Sequence, residues 1–125
     1  MNFPSDLKYS KTHEWVKVVG ETATIGISDY AQGELGDVVF VEVSEGIEAE
    51  AEGPVGTIEA VKTVSDIFAP ISGKVIEANP KVKDTPEIIN KDPYGEGWIL
   101  KMSIQDKAEL DSLLDADAYK KLIGQ

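Results

Sequence analysis

The sequence predicts a small domain of short β-strands, a barrel or sandwich, with helices added at its C-terminal end. Three observations predict it. β-rich runs recur with turn signals every six to twelve residues. Helical periodicity appears only beyond residue 105. The length of 125 residues suits a single domain over 1–125, large enough to bury about two thirds of its unfolded surface.

Residues 15–19 (WVKVV) and 22–27 (TATIGI) are β-rich and flank Gly20-Glu21, a two-residue turn signal. Residues 28–32 read as a short helix with Ser28 as N-cap, limited by Gly33 and Gly36. Residues 37–43 (DVVFVEV) form the strongest strand, with Val39, Val41 and Val43 expected on one face and Val38, Phe40 and Glu42 on the other. Residues 48–54 are polar and turn-like. A hairpin core follows over about 55–78. Residues 55–61 (VGTIEAV) and 64–68 (VSDIF) have β character around Lys62-Thr63, and residues 74–78 (KVIEA) add a strand closed by Asn79-Pro80. Residues 91–97 form a dense loop before a last strand over 98–104. Helices are expected over about 106–123. Asp106 and Glu109 have capping-box spacing, Leu110, Leu113 and Leu114 form an i, i+3, i+4 stripe, and Asp115 caps a second stripe at Tyr119, Leu122 and Ile123.

Composition narrows the function. The net charge is -11, from 23 acidic and 12 basic residues, and every basic residue is lysine. That argues against nucleic-acid binding, which needs clustered cations and favours arginine at base edges, and against an anionic membrane surface. No apolar run approaches the ~18 residues of a spanning helix, and the first residues lack a signal- or transit-peptide pattern, so a cytoplasmic protein is expected. Cysteine is absent and His13 is the single histidine, which leaves no thiolate nucleophile or His-rich metal site. Phosphate-loop, dinucleotide and nucleophile-elbow motifs are missing, so no residue is assigned as catalytic.

Lys62 stands out, placed between two strand-like segments and flanked by Val61 and Thr63. On spacing alone such a lysine serves as a soluble turn or an edge gatekeeper. The surrounding text changes that. Residues 56–79 (GTIEAVKTVSDIFAPISGKVIEAN) resemble the lipoyl-attachment region of the glycine cleavage system H-protein family. Residues 9–16 (YSKTHEWV), 26–43 (GISDYAQGELGDVVFVEV) and 89–100 (INKDPYGEGWIL) resemble that family's segments in its own order, and LDSLLDADAY matches its closing helices more loosely.

The resemblance implies a lipoyl-type flattened barrel, or barrel-sandwich hybrid, with helical additions. It implies a carrier rather than an enzyme, with lipoate in amide linkage on Lys62. Acylation needs a neutral amine, whereas an exposed lysine side chain is charged at neutral pH, so activation falls to the modifying enzyme. The partners implied are the pyridoxal-phosphate glycine decarboxylase that loads an aminomethyl group, the tetrahydrofolate-dependent aminomethyltransferase that receives it, dihydrolipoyl dehydrogenase and lipoate-attaching enzymes. The loaded arm is expected to fold back into a cleft, with Thr12, Glu14 and Asp66 as candidate lining and a carboxylate facing the aminomethyl cation. Glu59, three residues before Lys62, is the candidate for recognition by the modifying enzyme, while Glu34 is left without a role. Val61 and Thr63 speak against a biotin carrier, which brackets its lysine with methionine. An H-like protein relaying lipoyl to other carriers, and an interaction module whose Lys62 is never modified, remain as alternatives.

Overall fold

Two antiparallel sheets carry the chain in the computed structural model, which describes residues 1–125. The larger contains β1 (Lys8–Tyr9), β2 (Glu14–Val19), β3 (Thr22–Ile27), β5 (Glu48–Ala49), β8 (Gly73–Ala78) and β9 (Leu100–Ser103) in the order β1-β2-β3-β9-β8-β5. The smaller contains β4 (Val38–Val43), β6 (Pro54–Ala60) and β7 (Val64–Phe68) in the order β4-β6-β7. The helices are α1 (Asp29–Leu35), α2 (Pro80–Asp84), α3 (Ile88–Lys91) and α4 (Ala116–Leu122), with a 3-10 turn over Lys107–Ser112.

A core of 17 buried apolar residues draws on both sheets, including Val16, Ile25 and Met102 from the larger and Val41, Ile58 and Ile67 from the smaller. Burying each such aliphatic side chain stabilises by about 1.5–3 kcal/mol. The sheets share this core without closing into a continuous barrel. The mainly β class with C-terminal helices stands, and the flattened barrel takes the form of two open sheets.

A second cluster of Phe3, Leu7, Tyr9, Trp15, Ala116 and Tyr119 packs on the other side of β2. Glu14, Trp15 and Val16 are therefore buried in succession, because both faces of β2 are covered at this end. The Trp15 indole lies over Gly26, its cross-strand neighbour, where a Cβ would come within 2.7 Å of the ring.

Three local expectations are corrected. In β4 the register shifts between Val38 and Phe40, so Val38 and Val41 are buried while Val39 is exposed. A bulge adds one residue and breaks the two-residue alternation. The leucine stripe does not make an α-helix. Lys107–Ser112 is 3-10, Leu113 is extended, and Leu114 bridges to Tyr9. Asp106 caps the turn through the Ala108 N–H, but Glu109 does not close a capping box. Its carboxylate instead accepts from the Ser72 N–H and hydroxyl at 2.9 and 2.8 Å. Ser28 and Asp115 cap α1 and α4 as expected, accepting from the Ala31 and Ala118 N–H groups.

Candidate functional site

The β6–β7 hairpin ends in Val61, Lys62 and Thr63, all exposed. The Ala60 N–H donates to the Thr63 carbonyl at 2.8 Å, which keeps the turn tight. The Val61 N–H donates to the Asp37 carbonyl at 3.0 Å, which fastens the tip to the start of β4. Asn90 fastens the link from α1 to β4 beside this tip. The Asn90 Oδ1 accepts from the Val38 N–H at 2.9 Å, and its Nδ2 donates to the Gly36 carbonyl at 2.9 Å and to Gln32 Oε1 at 3.0 Å. Lys62 makes no ion pair. Its aliphatic stem lies over Gly36, where a Cβ would stand 3.0 Å from the lysine Cε. Gly36 also ends α1 at φ 81, a conformation glycine adopts without steric cost.

A cleft of about 260 Å³ lies beside the hairpin. One wall is Thr12, His13 and Glu14 at the entry to β2, the second is Tyr30, Ala31, Glu34 and Leu35 of α1, and the third is Ile58, Ser65 and Asp66 of the hairpin. Thr12, Glu14 and Asp66 are thus brought together. Asp66 and Glu34 are exposed, whereas Glu14 is only 2% exposed. A wider, more open concavity of about 640 Å³ lies around Glu48, Glu50, Ser72 and Glu109 and contains none of the attachment, cleft or recognition candidates Lys62, Thr12, Glu14, Asp66 and Glu59.

Glu14 joins the two sheets. Its Oε1 accepts from the Ser10 hydroxyl at 2.7 Å and from the Thr12 hydroxyl, and its Oε2 accepts from the Phe68 N–H on the free edge of β7 at 3.3 Å. Burial disfavours the charged form, and these hydrogen bonds oppose that effect only in part, so the carboxyl is pushed up to about 7. It is poised to change charge near neutral pH.

His13 sits beside it at φ 76, a backbone conformation rare for a non-glycine residue. Its Nδ1 is 2.8 Å from the Tyr119 hydroxyl, which is 2.7 Å from the Ser28 hydroxyl, the N-cap of α1. This chain ties α4, the entry to β2 and α1 together behind the cleft. Burial lowers the His13 pKa despite the nearby Glu34 carboxylate, so the ring is neutral at pH 7. Burial also pushes the Tyr119 phenol up to about 12.

Glu59 is exposed on β6 and does not line the cleft, because it alternates with Ile58, which does. Sequence reasoning missed Tyr30 and the lining position of His13, and gave Glu34 no role. A signal for the α1 wall was present, since Tyr30 and Glu34, like Ala31 and Leu35, are four residues apart and share a helix face.

The family model described as Glycine cleavage H-protein matches residues 7–125. The chain is 55% identical to the glycine cleavage system H protein of Staphylococcus haemolyticus, over the full length of both. It is 52% identical to that of Bacteroides fragilis, over 99% of each. A crystal structure of a glycine cleavage system H protein from Mycobacterium marinum superposes with a TM-score of 0.86 at 34% identity, covering 98% of this chain and all of that one.

Proposed function

The chain belongs to the glycine cleavage H-protein family, and from that premise we propose that Lys62 is the residue through which it carries lipoate. The protein is a carrier subunit of the glycine cleavage system rather than a catalyst. The observation that carries the assignment of Lys62 is its place at the tip of a braced hairpin, exposed and free of any ion pair. Such a side chain is open to a visiting enzyme, and the fixed turn presents it in one orientation.

When bound, lipoate supplies a reducible disulfide at the end of a long apolar tether, able to accept and release the aminomethyl group of glycine. The residues of this chain do the rest. Lys62 supplies the amide nitrogen and a fixed point of departure. Attachment there keeps the reacting end at high local concentration for any enzyme that docks. Glu14, with Asp66 and Glu34 at the mouth of the cleft, offers carboxylates to an aminomethyl cation, and Thr12 and Ser10 orient the Glu14 carboxyl. The apolar wall of Ile27, Leu35 and Ile58 keeps water from part of the cleft. The loading, receiving and reoxidising partners are the glycine decarboxylase, the aminomethyltransferase and dihydrolipoyl dehydrogenase, and the setting is cytoplasmic.

Protein isolated from lipoate-replete cells should show an intact-mass increment matching a lipoyl amide. Lys62→Arg should remove that increment and abolish glycine decarboxylation in a reconstituted system, with urea unfolding unchanged. An increment that persists in Lys62→Arg refutes the assignment.

A further inference from the structure

Resting on the reading of the cleft beside Lys62 as the seat of the loaded arm, we propose that Tyr94, which does not line that cleft, is a positioning residue that holds α1 against β2 and so keeps the cleft closed around its cargo. The wall at issue is α1. It has seven residues, and none of its side chains is fully buried. A helix that short has no stability of its own in water. Ala31 and Leu35 lean on the main core and Tyr30 on the second cluster, each only in part. The place of this wall is therefore set by polar ties at its two ends.

The C-terminal end is tied by Asn90, through Gln32 and the Gly36 carbonyl. The N-terminal end is tied by the Ser28 cap and by Tyr94, four residues beyond Asn90 in the same stretch of chain. The Tyr94 hydroxyl accepts from the Asp29 N–H, the first of α1, at 2.9 Å and donates to the Asn2 carbonyl at 2.6 Å. The Asn2 N–H donates in turn to Asp29 Oδ2 at 2.8 Å. Residues 2, 29 and 94 thus form a closed ring of hydrogen bonds. Phe3, buried edge-on against Tyr119, anchors the side of the ring that Asn2 supplies. Burial pushes the Tyr94 phenol up to about 12, so it keeps the proton that it donates.

The same stretch of chain is fixed to the opposite wall. The Trp15 indole N–H donates to the Pro93 carbonyl at 2.9 Å, and its ring centroid stands 6.1 Å from that of Tyr94. Trp15 directly follows Glu14, which lines the cleft. A bridge therefore runs behind the cleft from Glu14 and Trp15 through Pro93 and Tyr94 to Asp29, joining one wall to the other. Trp15 is 1% exposed and cannot shift without disturbing the second cluster. Tyr94 is only half-buried, and its hydroxyl is the joint at which the bridge meets α1. Phenylalanine there keeps the ring and removes both bonds at once. The α1 wall then moves outward more readily, and water reaches the arm.

The test uses the lipoylated full chain, loaded from glycine by a glycine decarboxylase, separated from that enzyme and followed by intact mass at pH 8. Tyr94→Phe should shorten the half-life of the aminomethyl form about fivefold or more, the scale of one lost hydrogen bond. Asn2→Pro removes only the N–H given to Asp29 and should shorten it by less. Ser72→Ala removes a hydroxyl bonded to the Ala51 N–H and to Glu109, away from this cleft, and should leave the half-life unchanged. It controls for a general loss of stability, with urea midpoints measured on all variants. A half-life unchanged in Tyr94→Phe while Glu14→Gln shortens it overturns the proposal, as does an equal shortening in Ser72→Ala. A half-life unchanged in the double variant Glu14→Gln/Asp66→Asn shows instead that the cargo is not held in this cleft, which strikes the reading on which this one rests and this one with it.

Discussion

Replacing Glu14 with glutamine should stabilise the fold, and by an amount that grows with pH. The Glu14 carboxyl has an ordinary value of 4.5 and is raised to about 7 by burial. Below 4.5 it is protonated in both folded and unfolded chains and contributes no pH dependence. Between 4.5 and 7 the unfolded chain releases the proton first, so the folded state binds more protons and stability falls as pH rises. Above 7 the full penalty is present, about 3 kcal/mol at 1.36 kcal/mol per pH unit. Between pH 5 and pH 8 the accessible part is about 2–3 kcal/mol. Glutamine fits the same partners. Its carbonyl can accept from the Phe68 N–H, and its NH₂ can donate to the Ser10 and Thr12 oxygens, whose hydroxyls reorient freely. The assay is equilibrium urea unfolding of wild type and Glu14→Gln at pH 5, 6, 7 and 8 and constant ionic strength. His13 contributes the opposite slope at acid pH, because its pKa is lowered, but it does so in both proteins and cancels in the difference. A difference that stays flat from pH 5 to 8 would refute the view that desolvation governs this carboxyl.

Tyr119→Phe removes the hydroxyl that contacts both His13 and Ser28, and should cost about 1–3 kcal/mol in urea unfolding, because the half-buried His13 Nδ1 loses its partner and the buried Ser28 hydroxyl keeps only the Ala31 N–H. Gly36→Ala forces a side chain into φ 81, ψ -157, a region essentially confined to glycine, and pushes the Lys62 stem aside, and should lower stability by about 1–3 kcal/mol while slowing modification of Lys62. Unfolding and lipoylation rates measured on the same preparations check both effects.

Much of this was legible because the signals are local. Alternation and turn residues placed the hairpin around Lys62, and short polar residues placed the caps at Ser28, Asp106 and Asp115. What was not legible depends on contacts between distant segments. The bulge in β4 follows from how Val38 and Val41 must both reach the core, which periodicity within one strand does not reveal. Glu109 leaves its capping role because Ser72, far away in sequence, offers two donors. The short helices α2 and α3 escaped notice because five and four residues are too few to show a period. At the site, Thr12, Glu14 and Asp66 came from resemblance to the family's motifs, and they do share a cleft. No pattern in THEW announces that its glutamate is buried; that follows from the covering of both faces of β2 by two separate clusters.

That burial joins stability to function. A carboxylate wholly at ease in the fold would gain little from a cation placed beside it, whereas one held near 7 by desolvation gains charge and partner together. On the reading proposed above, an aminomethyl cation entering the cleft draws the Glu14 proton off and recovers part of the penalty that the empty protein bears. The loaded arm should therefore be held best above pH 7 and lose protection as pH falls through that value, where Glu14 takes up its proton. The lifetime of the loaded state, measured at pH 6 and pH 8 as the ratio of wild type to Glu14→Gln, isolates this effect from the intrinsic lability of the cargo. The ratio should be well above one at pH 8 and approach one at pH 6. The same ratio at both pH values would place the cation's partner elsewhere, with Asp66 and Glu34 at the cleft mouth the next carboxylates to replace.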